Sequence, residues 1–184
     1  HRQLSEQLPG GGWPLGALIE VLQQPDQHLE WQLLLPALLV LQSDRPGAVP
    51  RTLVLVGPPH HPFGPGLAGR GLQAETLLSI EAQTPLERLW ATEQALHCAD
   101  VAAVLAWLPQ ARSEQLRRLQ VHSQSCDCPV FLFRPESAQL DASPAPLRVL
   151  ASLGTDWQLN VQILKRKGAL MDGSIALTSI PGNL

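Results

Sequence analysis

Short apolar segments bounded by glycine or proline alternate with longer helical patterns along most of the chain, and this alternation limits the possible folds more than any other feature. The strand-like segments are GALIEVL (16–22), RTLVLVGPP (51–59), LLSIEAQ (77–83), VAAVLAWL (101–108) and CPVFLFRP (128–135). Strands that alternate with helices form parallel sheets, because each crossover returns the chain to begin the next strand in the same direction. The sequence therefore predicts an α/β fold with helices on both faces of a mainly parallel sheet.

The helical segments carry recognisable start signals. After the third strand, Thr84 can cap a helix, Pro85 suits its first position, and Glu87 places an acid in its first turn. By the same reasoning, Asp26 is predicted to cap a long apolar helix after the first strand, and Ser113 to cap the helix before the fifth.

The C-terminal third of the chain changes its pattern. A loop rich in proline and serine (135–146) precedes LRVLASL (147–153) and WQLNVQILKRKG (157–168), whose alternation is typical of antiparallel strands. The 184 residues, of which 45% are hydrophobic, are enough for one domain with a core. We expect a single domain over 1–184, with a short lead at 1–8 and a weakly patterned tail at 170–184.

Composition excludes some classes of function. The net charge of -3 and the pI near 6.1 give no overall attraction to DNA or to anionic membranes. The longest apolar run, 33–41, contains Pro36 and is far shorter than the roughly 20 residues of a membrane span. Three cysteines are too few for a disulfide framework, which favours the cytoplasm. The first residue is not Met, so we expect the sequence to be part of a longer one.

Six segments, in this order, resemble ImuA, the bacterial SOS-induced accessory protein of translesion DNA synthesis. They are LPGGGWPLGALIEVL (8–22), GPPHHPFGPGLAGRGL (57–72), TPLERLWATEQAL (84–96), VLAWLPQARSEQLRRLQ (104–120), FLFRP (131–135) and LNVQILKRKGA (159–169). The ImuA family is related to the RecA recombinase core and to the cell-division inhibitor SulA. The resemblance implies a RecA-like three-layer core with antiparallel strands at its C-terminal edge.

The resemblance also implies where a nucleotide site would lie. A phosphate loop needs glycines to cradle phosphates, a Lys to neutralise them and a hydroxyl to hold Mg²⁺. In a gapless overlay on the RecA pattern, the two loop glycines correspond to Gln23 and His28. The Lys corresponds to Leu29 and the Mg²⁺-binding Thr to Glu30, while Pro59 stands where a water-activating Glu is expected. The resemblance therefore implies a degenerate P-loop, no cofactor and no enzymatic activity.

The candidate partner-binding residues are Lys165, Arg166 and Lys167. A run of three cations is commonly a solvated strand end. The resemblance suggests another role, because RecA has lysines matching Lys165 and Lys167 that reach across a filament interface to the neighbour's nucleotide. A chain without its own nucleotide site could use them to dock onto RecA, and both interpretations stay open at this stage.

The other residues with useful chemistry form no familiar pattern. His60 and His61, like Cys126 and Cys128, lack the ligand spacing of zinc sites, so no metal site is predicted. The loop at 135–146, where a RecA-type DNA-binding loop would lie, contains no basic residue. Direct DNA binding is therefore expected to be weak or absent.

The tryptophans divide by their surroundings. Trp31, Trp90 and Trp107 lie in apolar patterns and are predicted to be core residues. Trp13 and Trp157 lie near turns, where an exposed Trp can anchor a protein interface.

The leading functional hypothesis is a non-catalytic accessory protein of SOS-induced translesion synthesis and mutagenesis. It would bind RecA and the polymerase-like subunit ImuB, and could also self-associate. The alternative is a SulA-like inhibitor of cell division that binds FtsZ. A third class, an active RecA-type ATPase, is disfavoured by the missing Lys and hydroxyl.

Overall fold

One eight-stranded sheet forms the centre of the computed structural model, which describes residues 1–43, 50–169 and 173–178. The strands are β1 (Ala17–Gln23), β2 (Thr52–Val56), β3 (Leu77–Ile80), β4 (Val101–Trp107), β5 (Pro129–Pro135), β6 (Leu147–Leu153), β7 (Gln158–Lys165) and β8 (Ser174–Thr178). Their order across the sheet is β3-β2-β4-β5-β1-β6-β7-β8. Neighbours from β3 to β6 in that order pair in parallel, and β7 and β8 continue antiparallel. The predicted RecA-like α/β core, with its antiparallel C-terminal edge, is confirmed.

Helices cover both faces of the sheet. They are α1 (Arg2–Ser5), α2 (Glu30–Ser43), α3 (Gly64–Ala68), α4 (Pro85–Leu96) and α5 (Ser113–Ser123). One apolar cluster joins Ile19 of β1 to Leu33 of α2, and a second joins Leu18 of β1 to Leu89 of α4 and Leu116 of α5. Successive side chains of a strand point to opposite faces, so β1 contributes to both clusters and every one of its residues is buried.

Three sequence predictions about individual elements were wrong. Ser113 was predicted to cap α5 but is the first residue of that helix, and Arg112 holds the cap position. LRVLASL forms β6, which pairs in parallel with β1 and antiparallel only with β7. The period-2 alternation reports which side chains are buried and carries no information on strand direction. Helix α2 begins at Glu30 instead of following Asp26, because residues 24–27 form a turn in which Gln27 N–H donates to Gln24 C=O.

Two segments near the ends of the chain, among the residues that the structure describes, pack onto the rest of the fold. In the predicted lead, Leu4 and Leu8 are buried in the core. Part of the predicted weak tail, Ser174–Thr178, is strand β8 and pairs with β7. The rest of that tail, at 170–172 and 179–184, lies outside the described residues.

The structure corrects the predicted burial of one tryptophan. Trp107 is buried and Trp31 is partly buried against the core, as predicted. Trp90 was predicted to be a core residue but is 61% exposed on α4. Trp157 is 56% exposed as expected, whereas Trp13 packs partly against the core.

Candidate functional site

A cavity of about 210 Å³ lies where the carboxyl ends of β1, β2, β4 and β5 converge. This is where open α/β sheets generally bind ligands. Three of the five residues predicted for the degenerate nucleotide site, Gln23, His28 and Pro59, line this cavity. The other two, Leu29 and Glu30, are both buried where the chain enters α2.

The loop between β1 and α2 is closed by its own side chains. The Gln23 side-chain oxygen accepts a hydrogen bond of 3.4 Å from the Leu29 backbone N–H. The Leu29 side chain is buried in the apolar core beside α2. In a phosphate loop, backbone N–H groups at the helix start are free to bind the anion. Here one such group, the Leu29 N–H, is bonded to the Gln23 side chain instead.

Glu30 places a buried acid at the first position of α2. Burial raises the pKa of this carboxyl, and the Glu30 backbone N–H, His28, Gln23 and His60 lower it to a smaller extent. Its Oε2 atom has no hydrogen-bond partner among the described residues. A carboxylate suits a helix N-terminus but repels phosphate oxygens, so this position opposes triphosphate binding.

His28, which lines the cavity, contacts a second histidine, His60, which lines a neighbouring pocket. The Nε2 atoms of His28 and His60 are 3.1 Å apart, and the rings are nearly perpendicular with centroids separated by 4.6 Å. His28 comes from the β1–α2 loop and His60 from the loop after β2. The contact therefore joins the two loops that contain the predicted degenerate site.

Arg88 of α4 connects the strand ends on the other side of the cavity. Its Nε donates to Ala82 C=O at 3.0 Å and its Nη1 to Trp107 C=O at 3.2 Å. The guanidinium lies against Gly57, which has a positive φ of 59° and where an added Cβ would be 2.8 Å from Arg88 Nε. The positive φ therefore favours glycine at residue 57, and a larger residue there would also displace the Arg88 side chain.

A buried ionic cluster escaped the sequence analysis. Glu20 on β1 is fully buried, and its carboxylate accepts from Arg134 Nη1 at 3.2 Å and from Arg148 Nε at 2.5 Å. The two arginines lie on β5 and β6, the neighbours of β1 on either side. A usable signal was present in the sequence: a Glu in the middle of an apolar strand requires a charged partner once it is buried.

The same arginines hold the loop after β5. Arg134 Nη2 donates to the Asp141 carboxylate at 2.9 Å, and Arg148 Nη2 donates to Ala138 C=O at 2.7 Å. This loop contains the segment where a RecA-type DNA-binding loop was expected. It is anchored to the sheet by these two arginines.

The predicted partner-binding cluster divides into two kinds of residue. Lys165 is exposed, and its Nζ donates to Ser143 C=O at 2.9 Å. Lys167 is also exposed. Arg166 is half-buried and donates from Nη1 to Gln7 C=O, so it ties the N-terminal segment to the end of β7. The two lysines are available to a partner, whereas Arg166 has a structural role.

The cysteines at 126 and 128 interact with each other. A hydrogen bond with the Cys128 side chain is the main cause that lowers the pKa of Cys126 to about 7. The same bond, followed by burial, raises the pKa of Cys128. In the described part of the chain, no group of three or more His, Cys, Asp or Glu residues has a geometry suited to a metal ion.

No protein-family model matches the chain. Among curated proteins, it is 32% identical over 128 residues to the cell division inhibitor SulA of Pectobacterium atrosepticum, an alignment that covers 69% of this chain and 73% of that protein. The chain belongs to the SulA family. The SulA proteins of Pectobacterium carotovorum and Serratia marcescens are 31% and 29% identical over 128 and 129 residues. These alignments cover 69% and 70% of this chain, and 73% and 72% of the two SulA proteins.

Membership of the SulA family confirms the broader part of the predicted resemblance, which is the relationship to SulA. The finer assignment to ImuA stays a prediction. Within the residues described, no helix combines the length and the apolar character that a bilayer crossing requires.

Proposed function

We propose that this chain is a non-enzymatic inhibitor of cell division that acts in the cytoplasm by binding FtsZ. The observation that carries the proposal is the 32% identity, over 69% of the chain, to a protein named cell division inhibitor. The SulA family relationship favours this alternative over the translesion-synthesis hypothesis.

The cavity supports a function without catalysis. It retains the position of a nucleotide site, but Gln23 bonds the backbone of its loop and the acidic Glu30 lies buried at the helix start. Neither side chain can replace the Lys or the hydroxyl of a phosphate loop. An inhibitor that acts by occupying a partner's surface needs neither group.

Exposed apolar side chains supply candidate contact surfaces. Leu86 and Trp90 are one turn apart on α4 and are 72% and 61% exposed. Trp157 lies in the turn between β6 and β7. Tryptophan is enriched among residues that dominate interface energies, because it combines a large apolar area with few rotatable bonds.

Sedimentation of FtsZ polymers in GTP tests the proposal. Increasing amounts of the purified chain are expected to reduce the pelleted FtsZ in proportion to the amount added, without ATP. The reduction in pelleted FtsZ caused by Trp90→Ala is compared with that caused by Leu140→Ala. Each variant lacks one exposed apolar side chain, and the two side chains lie at different places on the surface. If a molar excess of the unmodified chain leaves the amount of pelleted FtsZ unchanged, the proposal is ruled out.

A second candidate function is the SOS accessory role, with RecA and ImuB as partners. It is supported by the exposure of Lys165 and Lys167, the two positions that the resemblance implies face a RecA neighbour. In a RecA pull-down, Lys165→Glu combined with Lys167→Glu is expected to lower the affinity. The exposed pair Arg112→Glu and Arg117→Glu makes the same charge change elsewhere and is the control. If RecA retains both double variants equally in the pull-down, this candidate function is ruled out.

A further inference from the structure

Two free cysteines lie on the short loop between α5 and β5, separated only by Asp127. Cys126 is half-buried, whereas Cys128 is 2% exposed. The chain bends at Asp127 and Cys128, and Cys126 Sγ lies 3.7 Å from the Cys128 C=O oxygen. The loop therefore places a partly exposed cysteine in direct contact with a protected one.

Backbone contacts hold this loop in place on both sides of Asp127. Cys126 Sγ is 3.0 Å from the Ser123 C=O oxygen, and the Cys126 N–H donates to the same oxygen at 3.1 Å. The Cys128 C=O accepts from the Gly16 N–H at 3.1 Å. A Cβ added at Gly16 would be 3.2 Å from the Cys126 C=O oxygen, so the loop packs closely against the turn before β1. These contacts fix the two cysteines relative to each other.

The two thiols differ in acidity because each acts on the other. A hydrogen bond with the Cys128 side chain is the main cause that lowers the pKa of Cys126 to about 7, while burial and Asp127 oppose this shift. The same bond and burial raise the pKa of Cys128, and Arg51 opposes that rise. About half of Cys126 is therefore thiolate at neutral pH, which is the nucleophilic form, while Cys128 keeps its proton.

We infer that Cys126 and Cys128 form a site of oxidative modification, at which a peroxide converts the two thiols into an intramolecular disulfide. The Cys126 thiolate attacks one oxygen of hydrogen peroxide, the O–O bond breaks, and Cys126 sulfenic acid and hydroxide form. The Cys128 sulfur then attacks the Cys126 sulfur, and the hydroxyl group leaves with the Cys128 proton as water. The proton that Cys126 released neutralises the hydroxide. In total, one peroxide and two thiols give one disulfide and two water molecules.

The disulfide would have a chemical role instead of a structural one. The stabilisation that a disulfide gives to a fold grows with the length of the loop that it closes. A bond between Cys126 and Cys128 would enclose only Asp127, so it would add little to the stability of the chain. The pair is therefore suited to a reaction with an oxidant that a thiol reductant reverses.

Cys98 is a matched control within the same chain. It is exposed, its Sγ donates to Gln94 C=O at 3.5 Å, and the sequence places no other cysteine near it. If exposure alone determined the rate of oxidation, Cys98 would react before the half-buried Cys126. The site at Cys126 and Cys128 predicts the opposite order.

Treatment of the reduced chain with an equimolar amount of hydrogen peroxide at neutral pH tests the site, with the products mapped by mass spectrometry after alkylation. The expected product is a monomer that has lost two thiols and two hydrogen atoms, with Cys126 linked to Cys128 and Cys98 still reduced. Dithiothreitol should restore both thiols. Cys98→Ser is expected to give the same disulfide. Cys128→Ser should stop at Cys126 sulfenic acid, which dimedone traps, and Cys126→Ser should leave Cys128 reduced.

Three results would overturn the site. They are the lack of any reaction at Cys126, oxidation of Cys98 at least as fast as that of Cys126, and a product in which Cys126 and Cys128 are not linked to each other. Circular dichroism must show that each variant folds like the unmodified chain. If Cys128→Ser does not fold, because residue 128 is buried, the unmodified chain and Cys98→Ser carry the test.

Discussion

Glu20 and Arg148 lie side by side on adjacent parallel strands, with Arg148 Nε 2.5 Å from Glu20 Oε2 in the interior of the protein. Arg134 binds the other oxygen of the same carboxylate. The three charges fix β1 between β5 and β6 and, through Arg134 and Arg148, hold the loop that follows β5. The cluster therefore ties three adjacent strands and the loop after β5 together, and Arg134 also lines the cavity of the candidate site.

Glu20→Ala is expected to destabilise the fold by about 3–5 kcal/mol, because it leaves two buried guanidinium groups without their carboxylate. Urea unfolding followed by circular dichroism measures the change. Glu6→Ala is the control, since the exposed Arg2–Glu6 pair should contribute at most about 1 kcal/mol. A loss of less than about 1 kcal/mol in Glu20→Ala would show that the cluster is not structural.

Glu30→Gln is expected to stabilise the protein at pH 7. Burial raises the folded-state pKa of Glu30 above the ordinary 4.5, so the folded chain holds this proton more tightly than the unfolded chain. The stability that this proton contributes is present below pH 4.5 and is lost as the pH rises through the raised pKa. The advantage of Glu30→Gln should therefore shrink as the pH falls toward 4.5, as measured by urea unfolding in EDTA.

Glu87 serves as the comparison, because its pKa is shifted in the opposite direction to that of Glu30. Hydrogen bonds from Thr84 and Gln83 lower its pKa below 4.5. Its contribution is present above pH 4.5 and is lost in acid, so Glu87→Gln should be less stable than the unmodified chain at pH 7. A Glu30→Gln variant that behaves like Glu87→Gln would contradict the burial argument.

Asp156→Gly is expected to stabilise the protein by about 0.5–1 kcal/mol. Asp156 and Trp157 have positive φ values of 53° and 59° in the turn between β6 and β7. Left-handed backbone is unfavourable for residues with a Cβ, and glycine removes that cost. Thermal unfolding compares this variant with Thr155→Gly, a neighbour without positive φ, which should lose stability. Equal losses of stability in Asp156→Gly and Thr155→Gly would show that the positive φ of Asp156 does not strain the fold.

Local features of this fold could be predicted from the sequence. The Thr84 signature forms a complete capping box, in which Glu87 N–H donates to Thr84 Oγ1 at 3.2 Å and Thr84 N–H donates to Glu87 Oε2 at 2.9 Å. All the atoms involved lie within four residues. The alternation of strands and helices predicted the sheet for the same reason, because each strand or helix can be recognised from a short stretch of sequence.

Features that depend on distant contacts could not be predicted. Glu20 meets Arg134 and Arg148 across 114 and 128 residues, and no local pattern specifies those partners. The start of α2 was misplaced because Asp26 has the composition of a cap, but the chain there forms a turn and Gln23 closes the loop onto Leu29. Trp90 lies in an apolar segment, yet its position around α4 leaves it exposed.

The central claim is that the cavity at the strand ends keeps the position of a nucleotide site but no longer accepts a triphosphate. Calorimetric titration with ATP and Mg²⁺ tests it most directly. We predict no saturable heat of binding up to about 1 mM ATP, which corresponds to a binding free energy weaker than about -4 kcal/mol. Saturable one-to-one binding of ATP below that concentration would contradict the account.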